Sequence, residues 1–189
     1  MAKKTIAFIS ESKSDYYEFI TVLYVLNHID DASVFYYGSR PANTNTSTDS
    51  FLRFENHYKN IGFDAIIFFG EKGTRGMINE ALRETYSGGV LGPKTIELAN
   101  KGGLIASIGE AIEILGKLGL LKGKKYTCLP GSENNSFNGT YTGKEVEKDG
   151  NIITAKGPSS SYEFALAIVE HLFGQSERNR IDKEFKGIK

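Results

Sequence analysis

The stretch GGLIASIGEAIEILGKLG, Gly102 to Gly119, passes from an apolar strand pattern through a single glycine into an amphipathic helix pattern. A chain uses that strand-to-helix turn to hold a nucleophile at its tip, beside a helix N-terminus that favours the ionised form of a thiol. The tip residue is Gly109, which brings no side chain to the turn. Glu110 follows it. A carboxylate opening a helix is favourable by roughly 0.3 to 1 kcal/mol, but the same charge opposes an oxyanion forming nearby.

Other residues able to do chemistry are few. Cys128 is the only cysteine, and a free cysteine is most often a small buried residue, so it reads as a structural thiol. Ser10 and Ser107 have no evident histidine partner of the kind that activates a nucleophilic serine. His28, His57 and His171 are widely separated and lack His-x-x-x-His spacing. No metal site is expected from them, and no cofactor is implied. Glu18 carries two readings side by side: a capping-box glutamate serving Asp15 three residues earlier, or a carboxylate of a functional site. The GEKGTRG loop, Gly70 to Gly76, has the glycines of a phosphate-cradling turn but matches neither G-x-G-x-x-G nor a P-loop.

The chain that must position these groups has 189 residues, 40% hydrophobic and 24% charged, the balance of one α/β domain. Its 23 basic and 23 acidic residues cancel, so no global field draws it to nucleic acid or to an anionic membrane. The apolar run after MAKK is too short for a signal peptide or a membrane span, which predicts a cytoplasmic location. A lone cysteine excludes an intrachain disulfide framework and fits a reducing compartment, where the sequons at Asn45, Asn134 and Asn138 are coincidental.

Strand and helix patterns alternate, which predicts a mainly parallel sheet with helices on both faces. Strands are expected at Lys4 to Ser10, Ala32 to Gly38, Asp64 to Phe69, Leu104 to Ile108 and Lys124 to Leu129. GTYTGKEVEKDGNIITA alternates around Asp149-Gly150 like a β-hairpin. Helices are expected at Ser14 to Ile29, Phe51 to Asn60, Met77 to Tyr86, Pro93 to Lys101 and Glu110 to Leu118. A last strong helix precedes Gly174, with Ser160 and Glu163 in capping-box spacing. Ser39 to Ser50 is a polar loop. The domain is read as 1–175, and 176–189 as a charged tail, either a surface helix or frayed. In such a sheet, Ser10 to Glu18, Gly70 to Gly76, Gly109 to Glu110 and Cys128 to Pro130 meet at the carboxyl ends of the strands.

With these stretches in place the sequence resembles the ThiJ/PfpI superfamily. EKDGNIITAKGPSSSYEFALAIVEHLFG, Glu147 to Gly174, is similar to that family's hairpin, Gly-Pro turn and final helix. GLIASIGEA resembles its elbow, FDAIIFFGEKG its central strand and oxyanion loop, and YEFITVLYVL its first helix. The resemblance implies a flavodoxin-like three-layer α/β sandwich, similar to the class I glutamine amidotransferase-like fold, with an added hairpin. It also implies a homodimer formed through the first helix, where Tyr16, Tyr17 and Tyr24 would line the contact.

Carried across residue by residue, the family's conserved glutamate falls on Glu18. Its nucleophilic cysteine falls on Gly109 and its assisting histidine on Leu129. The paired glycines of its oxyanion loop fall on Gly70 and Glu71, whose charge would again oppose an oxyanion. The expectation is a catalytically silent member whose pocket, Glu18, Gly70, Glu71 and Gly109 with Glu110 and Leu129, binds a small ligand, or whose surface serves a partner. The alternatives are a glyoxalase, deglycase or peptidase with Cys128 as relocated nucleophile, and a stress-related chaperone-like protein.

Overall fold

The computed structural model of the protein describes residues 2–10, 16–38, 62–70 and 91–187. The polar loop at 39–50, the helices expected at 51–60 and 77–86, and most of GEKGTRG lie outside them, as do Asp15, His57 and Glu71. The chain begins with β1 (Lys4–Ser10), α1 (Tyr16–Leu26), β2 (Ala32–Gly38) and β3 (Ala65–Phe68). It continues through α2 (Leu91–Asn100), β4 (Leu104–Ile108), a 3-10 turn at Gly109–Ala111 and α3 (Ile112–Lys117). Two short strands follow, β5 (Lys125–Tyr126) and β6 (Thr140–Tyr141), then the hairpin β7 (Val146–Asp149) and β8 (Ile152–Ala155). Two helices complete it, α4 (Ser161–Phe173) and α5 (Gln175–Phe185).

Among the described residues the main sheet has the order β2-β1-β3-β4-β8-β7. Every neighbouring pair is parallel except β7 with β8. Residues of β3 and β4 are buried without alternation, as a parallel strand covered on both faces requires. Successive side chains along a strand point to opposite faces, and two apolar layers result. Ile6, Phe8, Ile67, Ile108 and Ile153 pack with α1 and α4 on one face. Ile9, Ile66, Phe68, Ile105 and Ile152 pack with α3, Tyr126, Cys128 and Phe137 on the other. The architecture is the expected three-layer α/β sandwich with an added hairpin, which turns at Gly150 with φ 65°.

Several local expectations are corrected. The strand expected over Lys124 to Leu129 is only Lys125–Tyr126, and it pairs with β6 in a separate two-stranded sheet. The main-chain N–H of Thr127 then donates to Thr154 Oγ1 at 2.9 Å, so a side chain replaces the ladder. The alternating run therefore divides, its first residues joining β5 and only Val146 onward forming the hairpin. Ser160 does not cap α4. The 3-10 turn Pro158–Ser160 holds it at φ −95°, ψ 0°, away from the extended backbone of a capping residue, and its hydroxyl donates to Glu145 Oε2 instead. Of the two readings of the charged stretch 176–189 the helical one holds over α5, whose Ile181 is fully buried in the α1–α4 layer.

Candidate functional site

The parallel strands bring Ser10, Gly70, Gly109 and the chain beyond Ala155 to one edge of the sheet. Register aligns Ile9 with Phe68, Phe68 with Ser107, and Ile108 with Ala155. The first turn of α1 crosses this edge, seated by rings. Phe19 lies 5.3 Å from Phe8 and 5.3 Å from Phe69, and Phe8 lies 4.9 Å from Phe69, centroid to centroid. Those contacts fix the helix and with it the residue before Phe19, which is Glu18. Only 1% of Glu18 is exposed.

Glu18 is pressed against backbone. A β-carbon placed on Gly109 would lie 3.1 Å from Glu18 Oε1, 3.7 Å from Oε2 and 3.1 Å from the Gly70 carbonyl oxygen. Gly109 itself has φ +66°, a left-handed conformation that glycine adopts at least cost. The amide of Glu110, the next residue, donates to the Gly70 carbonyl at 3.1 Å, extending the β3–β4 ladder past the strand ends. Gly157 completes the ring of glycines: its β-carbon would lie 3.4 Å from Leu129 Cδ1 and 3.9 Å from Glu18 Oε1. Glu18, Gly70, Gly109 and Leu129 are thus neighbours, and Glu110 is half-buried beside them. Sequence reasoning missed Gly157. Its signal was there, since β8 is a parallel strand and the Gly-Pro after it falls at the same edge.

Cys128 is not in this group. It is fully buried among the apolar side chains of the opposite layer, and burial, followed by the nearby charge of Glu133, pushes its thiol up to about 12. A thiol so placed stays protonated and is a poor nucleophile. Ser107 precedes the turn by two residues on that same far face, paired in register with Phe68 and Thr154. It is buried, and its hydroxyl has no hydrogen-bond partner among the described residues. Ser10 is buried at the end of β1. His28 follows α1 and bonds through Nδ1 to the Tyr24 carbonyl, away from the site, and His171 is exposed near the end of α4. No group of three His, Cys, Asp or Glu able to hold a metal occurs among the described residues. No helix among them is long and apolar enough to cross a membrane.

The DJ-1/PfpI family model matches residues 4–171. The chain belongs to the DJ-1/PfpI family. Protein dj-1beta of Drosophila melanogaster is 34% identical over 129 residues, 64% of this chain and 62% of that protein's length. The Parkinson disease protein 7 homolog of Danio rerio is 43% identical over 75 residues, 38% of this chain and 40% of its own length. These aligned segments therefore span less than two thirds of the curated relatives. The crystal structure of Drosophila melanogaster DJ-1beta superposes with a TM-score of 0.80 over 98% of both chains at 29% identity. A DJ-1 superfamily protein from Salmonella typhimurium, at 24% identity and a TM-score of 0.81, shares the fold.

Proposed function

We propose that this DJ-1/PfpI protein is catalytically silent at the strand-to-helix turn and acts as a binding protein, assembled as a homodimer. The observation that carries the reading is the turn itself, where a buried Glu18 carboxylate faces Gly109. By resemblance this is the nucleophile's position, and a glycine there supplies neither thiol nor hydroxyl. A second feature supports it. The amide following a nucleophile commonly stabilises the oxyanion, and the Glu110 amide is engaged by the Gly70 carbonyl. Leu129, at the position the resemblance gives to histidine, offers no general base. Tyr17 and Tyr24 of α1 are both exposed large side chains, which supports the dimer proposal, and Tyr24 also packs on His28 and Phe185 of its own chain.

The relocated-nucleophile reading finds no support in the buried, protonated Cys128. The deciding experiment is turnover of methylglyoxal by the purified protein and by Cys128→Ser. No turnover by either protein is expected. Turnover by the unmodified protein that disappears in Cys128→Ser would overturn the silent reading. A chaperone-like role would instead register as suppressed client aggregation that survives Glu18→Ala.

A further inference from the structure

Asn138 and Gly139 form the only Asn-Gly pair in the sequence. They follow the 3-10 turn Asn135–Phe137 on the exposed loop between β5 and β6. Asn138 is exposed and left-handed, with φ 54° and ψ 27°, and it is the only non-glycine residue with positive φ among the described residues. Its side-chain amide makes one bond, Nδ2 to the Ser136 carbonyl at 3.1 Å. The backbone N–H of Gly139 donates to no acceptor among the described residues, and no β-carbon shields it.

We propose that Asn138 is a site of spontaneous deamidation in the folded protein. The Gly139 nitrogen attacks Asn138 Cγ, the Cγ–Nδ2 bond breaks, and Nδ2 leaves as ammonia with the Gly139 proton. Water then opens the cyclic imide at either carbonyl, giving aspartate or isoaspartate. Ring closure draws Asn138 out of its left-handed conformation and requires a local opening of the loop, in which its N–H releases the Asn135 carbonyl and its carbonyl releases the Gly123 N–H.

Packing preserves the reactive pair. A β-carbon on Gly139 would meet the Leu121 carbonyl oxygen at 2.6 Å and the Lys124 carbonyl oxygen at 2.9 Å, both main-chain atoms. Asn138 in turn occupies the backbone region that only glycine and asparagine enter readily. The isoaspartate product inserts a main-chain carbon at a residue whose carbonyl accepts from the Gly123 N–H at 2.8 Å, next to the Thr140 N–H bond to the Lys124 carbonyl at 2.8 Å. The modification therefore strikes the join of the β5–β6 pair.

The test is peptide mapping by mass spectrometry of the native protein held at 37 °C and mildly alkaline pH, beside the synthetic peptide SFNGTYT. Expected is conversion at Asn138 ahead of every other asparagine, with a one-charge acidic shift on isoelectric focusing that Asn138→Gly removes. Two results overturn the proposal. One is an unmodified Asn138 in folded protein after the peptide has fully converted. The other is conversion that appears only when the protein is unfolded in urea.

Discussion

Glu18 and Cys128 are shut away from solvent to nearly the same degree, on opposite faces of one sheet, and their surroundings differ in kind. Glu18 faces Gly109 and Gly157, two positions that carry no β-carbon. Cys128 meets side chains, among them Tyr126 and Phe137. A polar group walled by glycine backbone sits where the fold has left no β-carbons, whereas a thiol walled by rings is packing. Burial alone therefore does not identify a site; what does the burying distinguishes one from the other.

The strongest way to break this comparison is to put a side chain into the glycine wall. Gly109→Ala adds a β-carbon at 3.1 Å from two oxygens in a left-handed conformation, and Gly119→Ala adds one in open space at φ +75°. The second isolates the conformational cost, about 1 to 2 kcal/mol. The first adds crowding, for a total of about 2 to 4 kcal/mol. Chemical denaturation of the two variants checks the difference, and equal losses would mean that Glu18 and Gly70 yield freely to a side chain.

A smaller effect is expected on the other face. Cys128→Ser buries a hydroxyl in an apolar cluster and should cost about 1 to 3 kcal/mol. The thiol also predicts a pH signature. Its ordinary pKa is 9.0 and burial raises it to about 12, so the folded state favours the neutral form. That contribution is fully present below pH 9 and is lost as pH rises toward 12. The unmodified protein should therefore lose more stability than Cys128→Ala between pH 8 and 10.5. Native Cys128 should resist iodoacetamide at pH 8, whereas the thiol introduced by Gly109→Cys should alkylate readily. Equal labelling of the two would erase the contrast between the faces.

How much of this was legible beforehand follows the same division. Strand cores such as Leu104 to Ile108 and the hairpin at Asp149-Gly150 were readable because apolar runs and turn residues act locally. The gathering of Glu18, Gly70, Gly109 and Leu129 was readable because parallel strands send their carboxyl ends to one edge. Gly157 escaped notice because a glycine signals a turn and not what approaches it. The Glu110–Gly70 bond and the Ser160–Glu145 bond are long-range backbone and side-chain choices with no local pattern. Cys128 and Leu129 are adjacent in sequence, and only the structure separates their surroundings, Cys128 in the far apolar layer and Leu129 beside Gly157.

Ser107 sharpens the comparison with the least energy and the opposite sign. Its hydroxyl lies on the same face as Cys128, with Thr154 beside it in register, but Thr154 Oγ1 accepts from the Thr127 N–H while Ser107 Oγ has no partner among the described residues. A buried hydroxyl that makes no bond carries its desolvation cost uncompensated. Removing it leaves only a small void in a strand whose other residues are apolar. Ser107→Ala should accordingly stabilise the protein, by about 0.5 to 1 kcal/mol, while Thr154→Val, which strips the Thr127 amide of its acceptor, should destabilise it. Urea midpoints for the two variants read the signs directly. A destabilised Ser107→Ala would mean that an internal water completes the hydroxyl, and the far face would then not be apolar packing alone.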